Sequence, residues 1–176
     1  MSDQPVVKPS EAVAAFELPS VAVSYRHRLP YPPTVFDVLV GLITEQPRAV
    51  LDIGCGTGNI ARPLAPRVER VDAVDVSAAM IAEGKRLPGG DHPRLTWIVG
   101  RVEDAPLHPP YALVTAGGSL HWMDWEVVLP RLHDLLTSSG MLALPSVSRE
   151  SQGSSWEREL DNLIRRYRTS ERWSPD

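Results

Sequence analysis

A run of glycines between a predicted strand and a predicted helix is the segment best suited to bind a ligand. It reads Asp52-Ile53-Gly54-Cys55-Gly56-Thr57-Gly58-Asn59. Glycines at such a turn let the backbone approach a ligand without side chains in between. The dinucleotide pattern G-x-G-x-x-G fits poorly because Asn59 stands where its third glycine belongs, and a P-loop fits poorly because no Gly-Lys-Ser/Thr ending is present. A turn that binds nothing is the remaining alternative at this point.

A carboxylate at the end of the next predicted strand adds weight to the glycine run. Asp75 closes that strand, and an acid there can accept hydrogen bonds from ribose hydroxyls. Taken alone, an aspartate at a strand end is more often a helix cap. The pair of features favours a nucleoside-containing ligand.

The elements that must position these residues alternate along the chain. Short apolar runs predict strands, and apolar residues at helical spacing predict the helices between them. The predicted strands span 49–53, 71–76, 95–100, 111–116 and 141–145; the predicted helices start at 34, 58, 77, 124 and 156. This alternation predicts an α/β fold, a doubly wound and mostly parallel sheet of about five strands with helices on both faces. Ligands bind such sheets at the carboxyl ends of the strands.

The chain is predicted to be one domain, residues 1–176. Residues 1–33 should form an N-terminal arm, with 21–33 too rich in proline for regular structure. Residues 34–145 should form the ligand-binding core and residues 146–176 a C-terminal helix. Thr34 is a plausible N-cap for the first core helix, and Gln46-Pro47 should end it.

Composition narrows the class of protein and its partners. The 176 residues are 43% hydrophobic and 23% charged, with a net charge of −4. Nucleic-acid-binding domains usually carry a basic excess, so no nucleic-acid partner is expected. No run approaches the roughly 20 apolar residues of a membrane span, and the start lacks the features of a signal peptide. We expect a cytoplasmic protein without a membrane partner.

The ordered motif series resembles a known family. The segments VLDIGCGTGN, VDAVDVSAAMI, IVGRVEDAPL, YALVTAGGSLHWMD and LLTSSGMLAL are similar in kind and order to class I S-adenosylmethionine-dependent methyltransferases, most of all the type 11, trans-aconitate methyltransferase-like group. The resemblance covers about residues 20–145 and includes the arm segment YRHRLPYP. It implies S-adenosyl-L-methionine as cofactor and methyl transfer to a small-molecule acceptor by in-line displacement, with no metal.

The resemblance implies roles around the methionine and ribose parts of the cofactor. The backbone at Gly54, Gly56 and Gly58 would lie against the methionine part. Asp52 would orient that loop and help bind the amino group, directly or through water. Asp75 would bind the ribose hydroxyls.

Further implied contacts surround the adenine. Val76 and Met80 would line its pocket, and Arg101, Val102 and Glu103 occupy the positions that meet the adenine edge. Relatives commonly read Gly-Asp-Ala-Glu there, so Arg101 replaces an acidic acceptor for the adenine amine. The backbone N–H of Val102 could still serve the adenine.

The remaining implied residues lie near the carboxypropyl chain and the acceptor. Ala116 and Gly117 would border the carboxypropyl chain, while Tyr25 and Arg28 could close over it, with Arg28 meeting its carboxylate.

His121 and Trp122 follow strand four, where the acceptor should lie, and either could bind it. His121 could also remove its proton, since histidine titrates near neutral pH. The alternative is that His121 only caps the next helix while its neighbour packs.

Two departures from the family open other interpretations. Strand four of relatives usually opens Phe-Asp, whereas this chain has Tyr111-Ala112, which puts packing there in question. Strands six and seven of the family are missing from the predicted elements, which would leave strand five as an exposed edge that a homodimer or the C-terminal helix could cover. The chain could therefore be a truncated or shortened product, or a catalytically dead module that binds the cofactor. A nicotinamide-dependent oxidoreductase is disfavoured by the glycine spacing.

Overall fold

Five parallel strands form the centre of the fold. The structure, a computed structural model, describes residues 15–146. The strands are β1 (Ala49–Ile53), β2 (Arg70–Asp75), β3 (Leu95–Val99), β4 (Tyr111–Thr115) and β5 (Leu136–Ala143). Their order across the sheet is β3-β2-β1-β4-β5, and every neighbouring pair is parallel. The predicted doubly wound α/β architecture is confirmed.

Helices connect the strands and cover both faces of the sheet. They are α1 (Pro19–Ser24), α2 (Pro33–Gly41), α3 (Ala61–Leu64), α4 (Ala78–Arg86) and α5 (Trp125–Leu135). Short 3₁₀ turns span Ala15–Glu17, Tyr25–His27, Ala65–Arg67 and Leu120–Trp122. None of the helices that the structure describes is long and apolar enough to cross a membrane.

The central strands are apolar without alternation because both of their faces are buried. All five residues of β1 are buried. Val50 packs on one face with Leu39 of α2 and Leu64 of α3. Leu51 packs on the other face with Val128 of α5. The resulting two-sided core holds the carboxyl ends of the strands in fixed positions.

Helices α4 and α5 begin where side-chain capping predicts. The Ser77 hydroxyl accepts a hydrogen bond of 3.1 Å from the N–H of Met80 at the start of α4. The Asp124 carboxylate accepts one of 3.1 Å from the N–H of Glu126 at the start of α5. Such contacts satisfy backbone donors that the first helical turn leaves unpaired. The predicted start of α4 at Ser77 is confirmed.

The expectation of irregular structure over 21–33 is wrong, since α1 runs to Ser24 and a 3₁₀ turn follows. Pro19 and Pro33 stand at the first positions of α1 and α2, where a missing N–H costs nothing because it would be unpaired anyway. The N-cap of α2 is Pro32 rather than Thr34, and the helix ends at Gly41, before Gln46-Pro47.

Strand β5 begins earlier than predicted. It follows α5 directly at Leu136, which pairs with Tyr111, and the next pairing joins Met141 to Leu113. The residues between them, 137–140, interrupt the regular register. Among residues 15–146, β5 lies at one edge of the sheet. The predicted C-terminal helix, and the question of strands six and seven, fall outside the described residues.

The unusual opening of β4 is well packed. Tyr111 is fully buried, and its hydroxyl donates a hydrogen bond of 2.6 Å to Oδ2 of Asp72, itself fully buried. Nδ1 of His108 lies 3.1 Å from the same oxygen. Ala112 is also buried. The tyrosine thus supplies a partner for a buried carboxylate, which is costly to bury unpaired.

Candidate functional site

A cleft opens at the carboxyl ends of β1 and β4, where the chain connections diverge to opposite sides of the sheet. Its empty volume, counted out to the solvent mouth, is ≈ 1090 Å³. The lining comes from the glycine run after β1, the ends of β2 and β3, the loop after β4, and the arm before α2. Sheets of this kind bind ligands at this switch point.

The three glycines after β1 are needed for different reasons. Gly54, Gly56 and Gly58 have φ of 58°, 56° and 77°, in the left-handed region that disfavours side chains. A Cβ on Gly54 would lie 2.5 Å from the Ser119 side chain, and one on Gly58 would lie 2.5 Å from the Trp97 ring. At Gly56 the nearest described atom is 4.0 Å away. Gly54 and Gly58 therefore allow close packing, whereas Gly56 leaves the cleft open.

The carboxylate of Asp75 holds the glycine run from the neighbouring strand. Its Oδ2 accepts a hydrogen bond of 2.7 Å from the N–H of Gly56, and its Oδ1 accepts one of 2.8 Å from the N–H of Ser77. Burial raises the pKa of this carboxyl. The side chain also lines the cleft.

Asp52 lies beneath the glycine run and ties three elements together. It is 1% exposed. Its Oδ1 accepts a hydrogen bond of 2.8 Å from the hydroxyl of Thr115 in β4, and its Oδ2 accepts one of 3.1 Å from the N–H of Ala61 in α3. Burial raises the pKa of Asp52 from 3.8 to about 7, against the opposing effect of these hydrogen bonds. Asp52 thus stabilises the loop, and with this pKa its carboxyl group changes charge near neutral pH.

The end of the cleft beyond β2 and β3 is largely apolar. Val76, Met80 and Val102 line it. Arg101 donates a hydrogen bond of 2.8 Å to the carboxylate of Glu103. The arginine that departs from the family pattern is therefore paired with an acid two residues away.

Two predicted site residues after β4 lie in different surroundings. Gly117 lines the cleft. Ala116 does not: it is buried in the core, and its N–H donates to the carbonyl of Ala143 in β5. A Cβ on Gly117 would lie 2.5 Å from the Ile60 side chain and 2.8 Å from the Tyr31 hydroxyl. The close approach of the arm to this loop thus depends on glycine.

The arm before α2 covers part of the cleft. Tyr25 and Arg28, to which the resemblance assigns a role at the cofactor, line it. Nη1 of Arg28 donates a hydrogen bond of 3.3 Å to the Tyr25 hydroxyl, and the guanidinium carbon lies 5.4 Å from the ring centroid of Tyr25. Phe16 packs edge-on against Tyr25 and against Trp122, with ring centroids 5.9 Å and 6.1 Å apart.

His121 lies outside the lining of the cleft. Its side chain is exposed, and its ring packs against the ring of Trp122 with centroids 4.7 Å apart. The helix cap is Asp124, so the alternative interpretation of His121 as a cap is wrong. Trp122, for which the sequence left acceptor binding and packing as alternatives, lines the cleft.

Sequence reasoning assigned no role to several cleft residues. Phe16, Tyr31 and Ser119 line the cleft. The Ser119 hydroxyl donates a hydrogen bond of 2.6 Å to the carbonyl of Ile53, and burial raises the pKa of Tyr31. The available signal was the aromatic ring of Tyr31 in the segment YRHRLPYP. Across residues 15–146, no group of three or more His, Cys, Asp or Glu is placed to hold a metal ion.

Comparison with known proteins gives a consistent result. Residues 50–140 match the family model described as "Methyltransferase domain". The chain is 34% identical over 88 residues to malonyl-[acyl-carrier protein] O-methyltransferase of Anoxybacillus flavithermus, covering 48% of this chain and 33% of that protein. It is 31% identical over 115 residues to trans-aconitate 2-methyltransferase of Methylobacterium radiotolerans, covering 61% and 41%.

A solved structure extends the similarity. The structure of a protein from Anaeromyxobacter dehalogenans, provisionally assigned as a type II methyltransferase, superposes with a TM-score of 0.66 at 29% identity. The match covers 79% of this chain and 59% of that one. The chain spans from 33% to 58% of the length of the curated relatives it matches.

Proposed function

This chain belongs to the methyltransferase-domain family, and from that premise we propose that its cleft binds S-adenosylmethionine and that it transfers the methyl group to a small-molecule acceptor. The family assignment confirms the resemblance drawn from the ordered motifs. The cofactor, the acceptor and the roles of individual residues are the content of the proposal.

The position of Asp75 carries the proposal. A carboxylate offers about four lone-pair sites, and the N–H groups of Gly56 and Ser77 occupy one on each oxygen. The two hydroxyls of a ribose are donors that match the sites left over. An acid at the end of the second strand that receives a ribose is the general arrangement of nucleoside-binding sheets.

The methionine end of the cofactor would lie over the glycine run. Gly56 leaves open space there, since a Cβ would meet no described atom closer than 4.0 Å. Asp52 and Asp75 place two carboxyl groups beneath this space. A cation close to Asp52 would favour its ionised form over the neutral form that burial favours, so a sulfonium ligand and the Asp52 carboxylate would stabilise each other.

The adenine would occupy the apolar end of the cleft. Val76, Met80 and Val102 offer the hydrophobic contacts that a flat ring system needs. At the edge of this apolar region, Arg101 and Glu103 are paired with each other. The donor proposed for the adenine ring is therefore the backbone N–H of Val102.

The chain's contribution to chemistry would be placement and exclusion of water. When bound, S-adenosylmethionine supplies a methyl group that is already electrophilic. The protein's part is to align the acceptor atom with that methyl, a gain of proximity and orientation. Phe16, Tyr31 and Trp122 line the cleft with aromatic surface that would keep water away from the acceptor.

The acceptor class is drawn from the relatives. Two of them are named for malonyl-[acyl-carrier protein] and trans-aconitate, both of which carry carboxyl groups. Carboxylic acids are therefore the first acceptors to test, followed by hydroxyl and amine compounds. A homodimer across the β5 edge and a cytoplasmic location stay predictions.

A second candidate is a module that binds the cofactor without transferring its methyl group. The position of His121 favours it, because among the described residues that line the cleft there is no imidazole to take a proton.

Transfer of a labelled methyl group separates the two candidates. The chain is incubated with methyl-tritiated S-adenosylmethionine and a panel of carboxylic acids, alcohols and amines. The proposal expects label in at least one small-molecule product, and loss of that label in Asp75→Ala. Binding of the cofactor with no labelled product across the panel would favour the binding module instead.

A further inference from the structure

The arm segment 15–31, here termed the strap, crosses the mouth of the cleft. Phe16 and Tyr25 face the cleft from the strap. Phe16 reaches the opposite rim, where its ring meets that of Trp122 edge-on at 6.1 Å. A ligand seated on the glycine run would therefore lie beneath the strap, and its exit would require the strap to move.

One shielded hydrogen bond holds the beginning of the strap to the core. The Ser77 hydroxyl donates to the carbonyl of Phe16 at 2.7 Å. The same oxygen accepts from the N–H of Met80 as the N-cap of α4. Ser77 is fully buried, so its hydroxyl oxygen holds the beginning of α4 and the beginning of the strap together at a point shielded from water.

An ion pair with one buried member holds the middle of the strap. Nη2 of Arg26 lies 2.8 Å from Oε1 of Glu83 on α4. The Glu83 side chain is 5% exposed and that of Arg26 is 46% exposed. Among residues 15–146, the other oxygen of Glu83 has only the more distant Arg86, at 3.9 Å. A buried carboxylate is costly without a partner, so Glu83 binds Arg26 and fixes the strap against α4.

We propose that the Arg26–Glu83 ion pair is a latch that keeps the strap closed over the bound cofactor and sets the rate at which the cofactor leaves. This inference rests on the proposed binding of S-adenosylmethionine. Neither residue lines the cleft, so both are positioning residues that act through Phe16 and Tyr25. Opening of such a segment limits product release in many enzymes.

The latch predicts faster release in variants that lack the ion pair. Release of S-adenosylhomocysteine is followed by stopped-flow displacement in the wild type, Arg26→Met, Arg26→Lys, Glu83→Gln and the double variant Arg26→Met/Glu83→Gln. Loss of a charged hydrogen bond should raise the dissociation rate constant about tenfold. The association rate constant should rise as well, because the same contact holds the strap over the cleft of the ligand-free chain. Arg26→Lys should recover part of the loss, and the double variant should be no worse than the worse single variant, because both remove one contact.

The matched control is Arg67→Met. It breaks an ion pair of similar length, 2.7 Å to Asp37, that joins α2 to the turn after α3. It should leave both rate constants near the wild-type values. Equal release rates in Arg26→Met and the wild type, or the same acceleration in Arg67→Met, would overturn the latch.

A second readout needs no cofactor and separates failure of the latch from failure of the proposed function. Amide hydrogen exchange in the ligand-free chain should be faster over residues 16–28 in Arg26→Met than in the wild type, and unchanged there in Arg67→Met. Unchanged exchange in Arg26→Met would overturn the latch even if cofactor binds. Faster exchange in a chain that binds no S-adenosylhomocysteine would support the strap contact and overturn its role in release along with the proposed function.

Discussion

The carboxylate of Asp75 receives the backbone N–H of Gly56 at 2.7 Å, so the end of β2 fixes the conformation of the loop that follows β1. This contact links the two features that stand out in the sequence. It makes Asp75 both a structural support of the glycine run and, in the proposed function, the acceptor for the ribose.

Asp75→Asn should weaken S-adenosylhomocysteine binding more than it lowers stability. An amide offers one acceptor oxygen where the carboxylate offers two, and its NH₂ group would face an N–H donor at Gly56 or Ser77. We expect the dissociation constant to rise roughly 10- to 100-fold and the free energy of unfolding to fall by about 1–2 kcal/mol. Calorimetric titration and denaturant unfolding measure the two effects. Asp104→Asn, at an exposed site outside the cleft lining, is the control and should change neither.

Gly56→Ala and Gly58→Ala should fail in different ways. Both place a side chain at a left-handed φ, which costs about 1–2 kcal/mol. The new Cβ of Gly58→Ala would also collide with Trp97 at 2.5 Å, whereas that of Gly56→Ala would enter the open cleft. Thermal unfolding should show the larger loss for Gly58→Ala. At a temperature where both are folded, Gly56→Ala should bind S-adenosylhomocysteine more weakly; wild-type affinity in that variant would contradict the assignment of the open side of the loop.

The pKa of Asp52 predicts the pH dependence of stability. Burial raises this pKa from 3.8 to about 7. Between these two pH values the Asp52 carboxyl is therefore ionised in the unfolded chain and neutral in the folded chain. The contribution of Asp52 to the free energy of unfolding is therefore fully present below pH 3.8. It declines as the pH rises to about 7, by up to about 1.4 kcal/mol per pH unit. Unfolding of Asp52→Asn across this range should show a flatter profile than the wild type.

Thr115→Val provides a directed check on the same carboxyl. The Thr115 hydroxyl donates to Asp52 and lowers its pKa. Removing it should extend the decline in stability to higher pH. An identical profile in Thr115→Val and the wild type would show that Asp52 does not govern the slope.

His121→Ala and Trp122→Ala should affect methyl transfer differently. His121 lies outside the cleft lining and Trp122 within it. We expect methyl transfer by His121→Ala within about twofold of the wild type, as for an ordinary surface substitution. Trp122→Ala should lose at least tenfold in transfer, because it removes aromatic surface beside Phe16. A large loss in His121→Ala would restore the imidazole as the proton acceptor.

Much of the fold could be predicted because it depends on local patterns. The strand 49–53 is apolar throughout, as a strand buried on both faces must be, and Ser77 is a cap whose partner lies three residues away. The arm was misjudged because Pro30, Pro32 and Pro33 were read as preventing regular structure over 21–33, although they follow the helical residues 21–27 and Pro33 itself begins α2. Strand β5 was placed late because its start at Leu136 is set by pairing with Tyr111.

The candidate site was predicted in part for the same reason. The glycine run and Asp75 belong to one ordered motif series, and the structure brings them together at 2.7 Å. The direction of His121 could not be read from its position, because it depends on how the 3₁₀ turn packs. The cleft contacts of Phe16 and Tyr31 arise from the path of the arm across the sheet, which no local spacing encodes.

Isothermal titration of the folded chain with S-adenosylhomocysteine tests the central claim most directly, with NADH titrated in parallel. The proposed function predicts saturable binding at one site per chain, competition by S-adenosylmethionine, and no measurable binding of NADH. A folded chain that binds no S-adenosylhomocysteine, or that binds NADH in its place, would contradict it.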